Sequence, residues 1–271
     1  MKSIMKYDGI VLFSDLDCTL LDDQRQLSNE NFEALMDFVK QGGRFGVATG
    51  RIERTVFANF PELPINTPSI FFNGALVYDF HTREQIYSFF MPEGLESIFQ
   101  NVLDHYPNSG VEVNTAGEAF VLRYNDIIRS QIEREGLTSL EAVWHDIPKK
   151  WYKVLIADKH DSLEQIKKEI DDLRRTDIKI MFSEKEILDI VAQNVSKGEA
   201  LLHQKMVNRE NWRLVFAVGD NDNDLEMIQE ADVGIAVANA TPGVKEAAQY
   251  EIAHHNIPCI PQVLNIIDTY L

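Results

Sequence analysis

The most constraining feature of this 271-residue chain is an apolar run at residues 10–13 that is followed almost at once by Asp15 and Asp17. A buried strand that ends in carboxylates delivers negative charge to the C-terminal edge of a sheet, where open α/β folds bind their ligands. Two carboxylates about 4 Å apart repel by roughly 4 kcal/mol at an effective dielectric of about 20. The pair therefore requires a metal ion, a proton or a cationic partner.

The segments after this run predict a strand–helix–strand unit with parallel strands. Residues 28–41 predict an amphipathic helix that begins at the N-cap Ser28, and residues 45–48 predict the next strand. The apolar face of this helix is predicted to comprise Phe32, Leu35, Met36 and Val39.

The C-terminal part of the chain repeats this pattern. Helices are predicted near 197–206 and 222–231, and strands at 214–218 and 233–237. We therefore expect an α/β fold in which both ends of the chain build one doubly wound, mainly parallel sheet.

The middle of the chain, residues 83–189, has a different pattern. Several of its candidate strands alternate apolar and polar residues, as half-exposed strands do. The candidate strands are 86–90, 111–113, 119–123, 152–157, 178–182 and 187–191, and the candidate helices are 93–106, 126–135 and 161–174. We expect an α+β domain at 83–189 inserted into a core domain made of 1–82 and 190–271.

The composition argues against some classes of partner. The formal net charge is −17, whereas nucleic acid backbones are bound by clustered Lys and Arg. Two cysteines, Cys18 and Cys259, are too few for a disulfide framework, and the N-terminal stretch has no apolar segment long enough for a signal peptide or a membrane span. We expect a cytoplasmic monomer or small homo-oligomer that binds a small molecule, with no nucleic acid or membrane partner.

A second acidic cluster at residues 220–224 follows another apolar strand. It can meet the first cluster only if the two strands lie side by side, which a doubly wound sheet permits. Their convergence would create a Mg²⁺ site, because Mg²⁺ prefers a few hard oxygen ligands completed by water and substrate phosphate. An EF-hand Ca²⁺ loop is excluded, because it requires Gly and Glu where this chain has Leu225 and Ala231.

Two further features suit an anionic ligand. Lys197 lies at the start of a predicted helix, whose N–H groups also attract anions, although it could equally be one of many surface lysines. Thr49 and Gly50 follow a strand and offer a hydroxyl and an N–H group to a phosphate, or else form an ordinary turn.

The local charge links these features. The four carboxylates of Asp15, Asp17, Asp220 and Asp224 exceed the combined charge of Lys197 and one Mg²⁺ by one. The site therefore requires the metal before it can bind a phosphate dianion.

Together these motifs resemble the haloacid dehalogenase superfamily, and within it the Cof-like phosphatases with a type IIB cap. Its four motifs are matched in order by Asp15, Asp17 and Thr19; by Thr49; by Lys197; and by Gly219, Asp220, Asn223 and Asp224. Asn73, Gly74 and Ala75 also look like a Cof-like segment. The resemblance covers nearly the whole chain and implies a Rossmann-like core with residues 83–189 as the cap.

The resemblance also implies a role for each matched residue. Asp15 would attack phosphorus and become an aspartyl phosphate, while Asp17 would protonate the leaving oxygen and later deprotonate the hydrolytic water. Asp15 and Asp220 would bind Mg²⁺ through their side chains and Asp17 through its main-chain carbonyl, with Asp224 behind these ligands or reaching the metal through water. The phosphoryl oxygens would be held by Thr49, Gly50, Lys197 and Asn223.

The activity implied is a Mg²⁺-dependent phosphatase acting on a small phosphomonoester, such as a sugar phosphate, a nucleotide or a phosphorylated cofactor. A phosphomutase on the same scaffold is the nearest alternative. A phospho-accepting signalling receiver is disfavoured because receivers lack both the Asp17-type acid/base and a cap, and a non-catalytic binding module is disfavoured because no motif residue is missing.

The cap is expected to determine specificity, since aromatic side chains stack on rings and cations bind extra phosphates. Its candidate residues, each of which could instead pack in the core or at the surface, are Arg123, Trp144, His145, Trp151, Tyr152 and Lys153.

Two departures from the family pattern stand out. Cys18 replaces the Gly that usually follows the second aspartate, which restricts φ and places a thiol beside the site. His254 and His255 replace a usual acidic, Gly-containing segment, and could bind metal or lie in a solvated loop.

Overall fold

A computed structural model describes residues 5–271, so the first four residues of the N-terminal stretch considered above lie outside the described residues. The chain forms two compact units. The first unit comprises the chain up to Gly50, Glu62–Tyr87 and Ser196–Leu271, and the second unit comprises Arg51–Pro61 and Ser88–Val195. The domain boundaries 1–82, 83–189 and 190–271 stay a prediction.

The described residues form fourteen strands and nine α-helices. The strands are β1 (Ile10–Ser14), β2 (Arg44–Val47), β3 (Ser69–Phe71), β4 (Leu76–Asp79), β5 (Glu84–Ser88), β6 (Gly110–Thr115), β7 (Glu118–Arg123), β8 (Ser139–Glu141), β9 (Lys153–Ala157), β10 (Ile178–Glu184), β11 (Ile187–Ala192), β12 (Leu214–Gly219), β13 (Val233–Val237) and β14 (Tyr250–Ile252). The helices are α1 (Asn29–Lys40), α2 (Glu53–Asn59), α3 (Glu96–His105), α4 (Asp126–Glu135), α5 (His160–Asp172), α6 (Lys197–Asn208), α7 (Leu225–Glu230), α8 (Pro242–Ala247) and α9 (Ile260–Asp268).

The first unit is built on a five-stranded sheet in the order β14-β13-β12-β1-β2, in which every neighbouring pair is parallel. Strand β1 lies inside the sheet and is buried along its whole length, which explains why its sequence is a continuous apolar run. Its neighbours β12 and β2 come from opposite ends of the chain. The predicted doubly wound, mainly parallel α/β core is therefore confirmed.

Helix α1 begins where the sequence predicts, because the Ser28 hydroxyl oxygen accepts a hydrogen bond from the Asn31 N–H at 3.1 Å. Its predicted apolar face is partly wrong. Leu35 is buried, but Met36 is 46% exposed, and Phe38 is buried against the Tyr7 ring instead.

The second unit contains a six-stranded sheet in the order β10-β11-β9-β6-β7-β8, antiparallel except for the β7–β8 pair. Alternate residues of β9 point to opposite faces: Val154 and Ile156 pack in a cluster with residues of α3 and α5, and Leu155 and Ala157 pack with Ile128 of α4. This is the predicted α+β insert with both faces of its sheet covered. Strand β8 has no counterpart among the strands predicted from the sequence.

The α4 face of this sheet also buries charge. Glu112 is 1% exposed, and its Oε1 accepts a hydrogen bond from Asn114 Nδ2 at 2.9 Å. Lys153 forms an ion pair with Asp189 at 3.2 Å on the same sheet. Burial raises the pKa of Glu112 to about 7, and the attraction of Lys153 only partly opposes this.

Among residues 5–271, none of the helices is both long enough and apolar enough to cross a membrane.

Candidate active site

The ends of β1 and β12 bring the two acidic clusters together. These strands pair in register from Ile10 with Leu214 to Ser14 with Val218, and the Asp15 N–H donates to the Val218 carbonyl oxygen at 3.0 Å. Carboxylate oxygens of Asp15, Asp220 and Asp224 lie within 4.8 Å of one another. Two segments about 200 residues apart therefore form one acidic cluster within the first unit.

Lys197 is the cation at the centre of this cluster. Its Nζ donates to Asp15 Oδ1 and to Asp224 Oδ1, both at 2.7 Å, and its side chain is fully buried. Helix α6 begins at Lys197 because the Ser196 hydroxyl oxygen accepts from the Glu199 N–H at 3.0 Å. Burial alone would lower the pKa of Lys197, but Asp15 and Asp224 outweigh it and raise the pKa, so the side chain is a cation at neutral pH.

The cluster carries more negative charge than Lys197 neutralises. Burial raises the pKa of Asp15 to about 7, with Asp224 and Asp17 adding to the shift against the attraction of Lys197. Burial, together with Asp15 and Asp224, raises the pKa of Asp220 to about 8. A cation beside these carboxylates would relieve the repulsion.

The oxygen donors of this cluster fit a hard divalent ion. Both oxygens of Asp224 are engaged, since Oδ1 accepts from Lys197 while Oδ2 accepts from the Asp220 and Asn221 N–H groups at 3.0 and 3.2 Å. Asp220 is held through Oδ1 by the Thr19 hydroxyl at 2.9 Å. The cluster is therefore able to hold a metal ion.

Asp17 lies beside this cluster and pairs with Arg25, a cation that is not among the site residues predicted from the sequence. Arg25 Nη1 is 3.6 Å from Asp17 Oδ1, and the Arg25 side chain is 24% exposed. The turn that presents Arg25 is closed by Asp22, whose Oδ1 accepts from the Gln24 and Gln26 N–H groups at 2.9 and 2.8 Å. With Arg25 included, four carboxylates face two cations, so the fully ionised site would carry two excess negative charges, which equal the charge of one divalent ion.

Cys18 adopts a left-handed backbone conformation with φ of 57°. This explains why the family that the sequence resembles usually has Gly at this position, since the left-handed conformation is unfavourable for L-residues with a Cβ. Cys18 is exposed, but partial desolvation of its thiol, and then the carboxylates of Asp220, Asp17 and Asp15, raise the pKa of the thiol to about 11. The thiol is therefore protonated at neutral pH.

The predicted phosphate-binding residues lie on the loops that follow β2 and β12. A third segment, which contains Asn73, contacts both loops. Thr49 follows β2, is buried, and donates its N–H to the Ile70 carbonyl oxygen at 2.9 Å. Asn223 Nδ2 donates to Asn73 Oδ1 at 3.1 Å, and the Asn73 N–H donates to the Thr49 carbonyl oxygen at 3.1 Å. Gly50 comes next after Thr49. The signal for Asn73 in the sequence was the Asn-Gly pair after a strand.

His254 and His255 lie in the loop that follows β14, and His255 contacts Asp23. His255 is buried, and its Nε2 lies 2.9 Å from Asp23 Oδ1. Its N–H donates to Asn239 Oδ1 at 3.1 Å, while Asn239 Nδ2 donates to the Cys18 carbonyl oxygen at 2.8 Å. His255 therefore connects the C-terminal segment to the turn that carries Asp17. Among residues 5–271, neither His254 nor His255 joins a metal-binding cluster.

The candidates for specificity lie in the second unit, and several have packing partners there. Arg123 donates to the Leu103 and Tyr106 carbonyl oxygens at 2.6 and 3.0 Å, and the Trp144 and Trp151 rings stack at 5.7 Å. The remaining three are His145, whose side chain is exposed, Tyr152, which stacks on Phe90, and Lys153, which pairs with Asp189. Their role in specificity stays a prediction.

The sequence profile of the haloacid dehalogenase-like hydrolases matches residues 12–264, nearly the whole chain. The chain belongs to this family. Its sequence is 26% identical over 268 residues to the pyridoxal phosphate phosphatase YbhA of Escherichia coli K12, an alignment that covers 94% of this chain and 97% of YbhA.

Solved structures of the family have the same fold. A haloacid dehalogenase-like hydrolase from Bacteroides thetaiotaomicron superposes with a TM-score of 0.85 at 24% identity, covering 96% of this chain and 100% of its own. The subclass IIB sugar phosphatase BT4131 superposes with a TM-score of 0.79 at 18% identity, covering 95% of this chain and 98% of its own. The resemblance to the haloacid dehalogenase superfamily is confirmed, and the chain is an enzyme, a phosphoric monoester hydrolase.

Proposed function

We propose that this enzyme is a Mg²⁺-dependent phosphatase that hydrolyses phosphomonoesters of small metabolites through an aspartyl phosphate on Asp15. The observation that carries the proposal is the buried contact of Asp15 with Lys197 beside Asp220. A carboxylate held by an ammonium group and adjacent to a cation site is poised to meet a phosphate dianion without repelling it.

In the first step an Asp15 carboxylate oxygen attacks phosphorus, and the bond from phosphorus to the ester oxygen breaks. Asp17 gives its proton to the leaving oxygen. In the second step Asp17 takes a proton from water, the water oxygen attacks phosphorus, and the bond from Asp15 to phosphorus breaks. Phosphate is released and the Asp15 carboxylate is regenerated.

Binding of the phosphoryl group is proposed for Thr49, Gly50, Lys197 and Asn223. These residues supply an ammonium group and neutral donors, which suit the charge on the equatorial oxygens of a loose transition state. Thr49 and Asn223 already share a partner in Asn73, which supports their acting on one ligand.

The residues proposed to hold Mg²⁺ are Asp15 and Asp220 through their carboxylates and Asp17 through its carbonyl oxygen. When bound, the ion would neutralise the phosphoryl charge and the excess charge of the carboxylates. Asp224 is proposed to orient Lys197 and the loop after β12 from behind these ligands, since both of its oxygens are engaged.

The substrate is proposed to be a sugar phosphate, a nucleotide or a phosphorylated cofactor, with residues 83–189 as the cap that selects it. The similarity to a pyridoxal phosphate phosphatase over nearly the full length supports a phosphorylated cofactor within this class. The cytoplasmic location, the absence of nucleic acid and membrane partners, and the monomeric or small homo-oligomeric state stay predictions.

The test is a phosphate-release panel of sugar phosphates, nucleotides, flavin mononucleotide and pyridoxal phosphate, with Mg²⁺ or with EDTA, on the wild type and Asp15→Asn. We expect turnover of at least one compound that is lost in EDTA and in Asp15→Asn. Turnover that survives either change contradicts the mechanism. Conversion of a sugar phosphate to its isomer without phosphate release would identify a phosphomutase instead.

A further inference from the structure

The segment Phe72–Gly74 has an unusual backbone. Its three residues have consecutive positive φ values of 49°, 56° and 108°. A residue with a Cβ loses roughly 1–2 kcal/mol in this conformation, and a bulky Phe is an outlier there. The other non-Gly residues with positive φ among residues 5–271, such as Arg83 and Arg174, are not buried, whereas Phe72 and Asn73 are. Such strain persists where the surroundings over-determine the conformation, often at functional sites.

The side chain and backbone of Asn73 contact both loops that carry the proposed phosphate ligands. The Asn73 N–H donates to the Thr49 carbonyl oxygen at 3.1 Å, and Asn73 Oδ1 accepts from Asn223 Nδ2 at 3.1 Å. A Cβ built on Gly50 would lie 2.9 Å from Asn73 Oδ1, so the absence of a side chain at Gly50 allows this approach. Asn73 is 1% exposed.

The next residue, Gly74, reaches a third part of the site. A Cβ on Gly74 would lie 2.1 Å from the Ser196 carbonyl oxygen and 3.1 Å from the backbone nitrogen of Lys197. The backbone of Gly74 therefore packs directly against the start of α6, where Lys197 begins the helix. One strained segment thus contacts the loop after β2, the loop after β12 and the beginning of α6.

We propose that Asn73 is a positioning residue that fixes the side-chain amide of Asn223 and the Thr49–Gly50 loop for the phosphoryl group. The proposal rests on the phosphatase function proposed above. Because Asn73 Oδ1 can only accept, it holds the NH₂ end of the Asn223 amide and leaves the other amide N–H in a fixed direction. Asn is suited to this position, since it tolerates left-handed φ and carries an acceptor, whereas Gly supplies only the first property.

The test is a double-mutant cycle on kcat and KM with Asn73→Gly, Asn223→Ala and the double variant. Glycine keeps the backbone N–H and the left-handed φ and removes the side-chain amide, including the acceptor Oδ1. We expect Asn73→Gly to lower kcat about 10-fold or more, because a misplaced ligand weakens transition-state contacts. In the Asn223→Ala background the same change should alter kcat by less than about 3-fold, since its partner is already gone.

The matched control is Asn66→Gly. Asn66 connects its own loop to another segment of the first unit, accepting from the Phe45 N–H at 2.7 Å and donating to the Gly43 carbonyl oxygen at 3.0 Å, but it does so at the opposite end of β2. We expect this variant to lower the thermal midpoint of unfolding and to keep kcat within about 2-fold. Independent, additive effects of Asn73→Gly and Asn223→Ala on kcat would overturn the proposal.

A second measurement does not require activity. In ¹⁵N-labelled protein the side-chain NH₂ signal of Asn223, assigned by its loss in Asn223→Ala, should shift in Asn73→Gly and not in Asn66→Gly. In Asn73→Asp, which keeps the acceptor, it should stay hydrogen-bonded. An Asn223 signal that is identical in Asn73→Gly and wild type overturns the proposal even if no phosphomonoester is hydrolysed, and absence of turnover with a shifted signal counts against the proposed function alone.

Discussion

Lys197 places its ammonium nitrogen 2.7 Å from a carboxylate oxygen of Asp15, although the two residues are 182 positions apart in the chain. The same nitrogen is 2.7 Å from Asp224, and the Lys197 and Asp224 side chains are completely buried. Attraction among these groups outweighs the cost of removing the ammonium from water only while the carboxylates are present. The three side chains therefore act as one unit.

Replacing Lys197 with Met should destabilise the first unit strongly. Removing one partner of a buried ion pair leaves uncompensated charge and costs about 3–5 kcal/mol. We expect the free energy of unfolding in urea at pH 7 to fall by that amount, and the double variant Lys197→Met/Asp224→Asn to recover part of it. The exposed pair of Lys167 and Asp171 gives the control, since Lys167→Met should cost less than about 1 kcal/mol. Equal losses of unfolding free energy in Lys197→Met and Lys167→Met would contradict this account.

Replacing Asp17 with Asn should lower kcat with little change in KM. The substitution keeps the shape of the side chain and removes its ability to transfer a proton, which contributes about 10²-fold or more to such reactions. Steady-state kinetics on the best substrate of the panel measure the effect. If KM rose while kcat stayed unchanged, Asp17 would be a binding residue and the acid/base assignment would be wrong.

Glu112 should make the stability of the second unit depend on pH. Its pKa in the folded protein is about 7, above the ordinary value of 4.5, because burial disfavours the carboxylate. The stabilising contribution of the protonated form is thus complete below about pH 4.5 and is lost as the pH rises through 7. Each unit of pKa corresponds to about 1.4 kcal/mol, so Glu112→Gln should raise the free energy of unfolding at pH 8 by up to about 3 kcal/mol relative to wild type, with little effect at pH 4.5.

The control for this prediction is Glu141→Gln, at an exposed position of β8 in the same sheet. Urea unfolding of both variants across pH 4.5–8 should show the gain only for Glu112→Gln. A gain of the same size at pH 4.5 and pH 8 would show that the effect does not come from ionisation of Glu112.

Replacing Cys18 with Gly should stabilise the protein modestly. Cys18 has φ of 57°, and relieving the contact of its Cβ with the backbone gains about 1 kcal/mol, part of which is offset by the greater freedom of Gly in the unfolded chain. We expect the midpoint of thermal unfolding to rise for Cys18→Gly. It should not rise for Cys18→Ala, because alanine keeps the Cβ. A higher midpoint in both variants would show that the effect comes from loss of the thiol and not from relief of the backbone strain.

The core of the fold and the acidic cluster could be predicted because they depend on short, strong patterns. Strand β1 is a continuous apolar run that ends before Asp15, and β12 has the same arrangement before Asp220. Parallel strands that lie side by side bring their ends to one edge, so the meeting of these carboxylates follows from the topology.

Features that depend on distant partners could not be predicted in this way. The buried face of α1 includes Asn31, whose side chain donates to the Leu20 carbonyl oxygen and accepts from the Ile260 N–H, and no local pattern identifies such partners. The same reason applies to Arg25, whose role beside Asp17 depends on how a turn closes, and to Glu112, an apparently ordinary strand residue that the fold buries.

The pairing of β1 with β12 also has a consequence for synthesis of the chain. Strand β1 leaves the ribosome about 200 residues before its partner, which at about 5–20 residues per second is an interval of roughly 10–40 s. During that time one edge of β1, which is buried along its whole length in the folded protein, has no β12 to pair with. The acidic cluster of Asp15, Asp220 and Asp224 therefore cannot form until translation has passed Asp224.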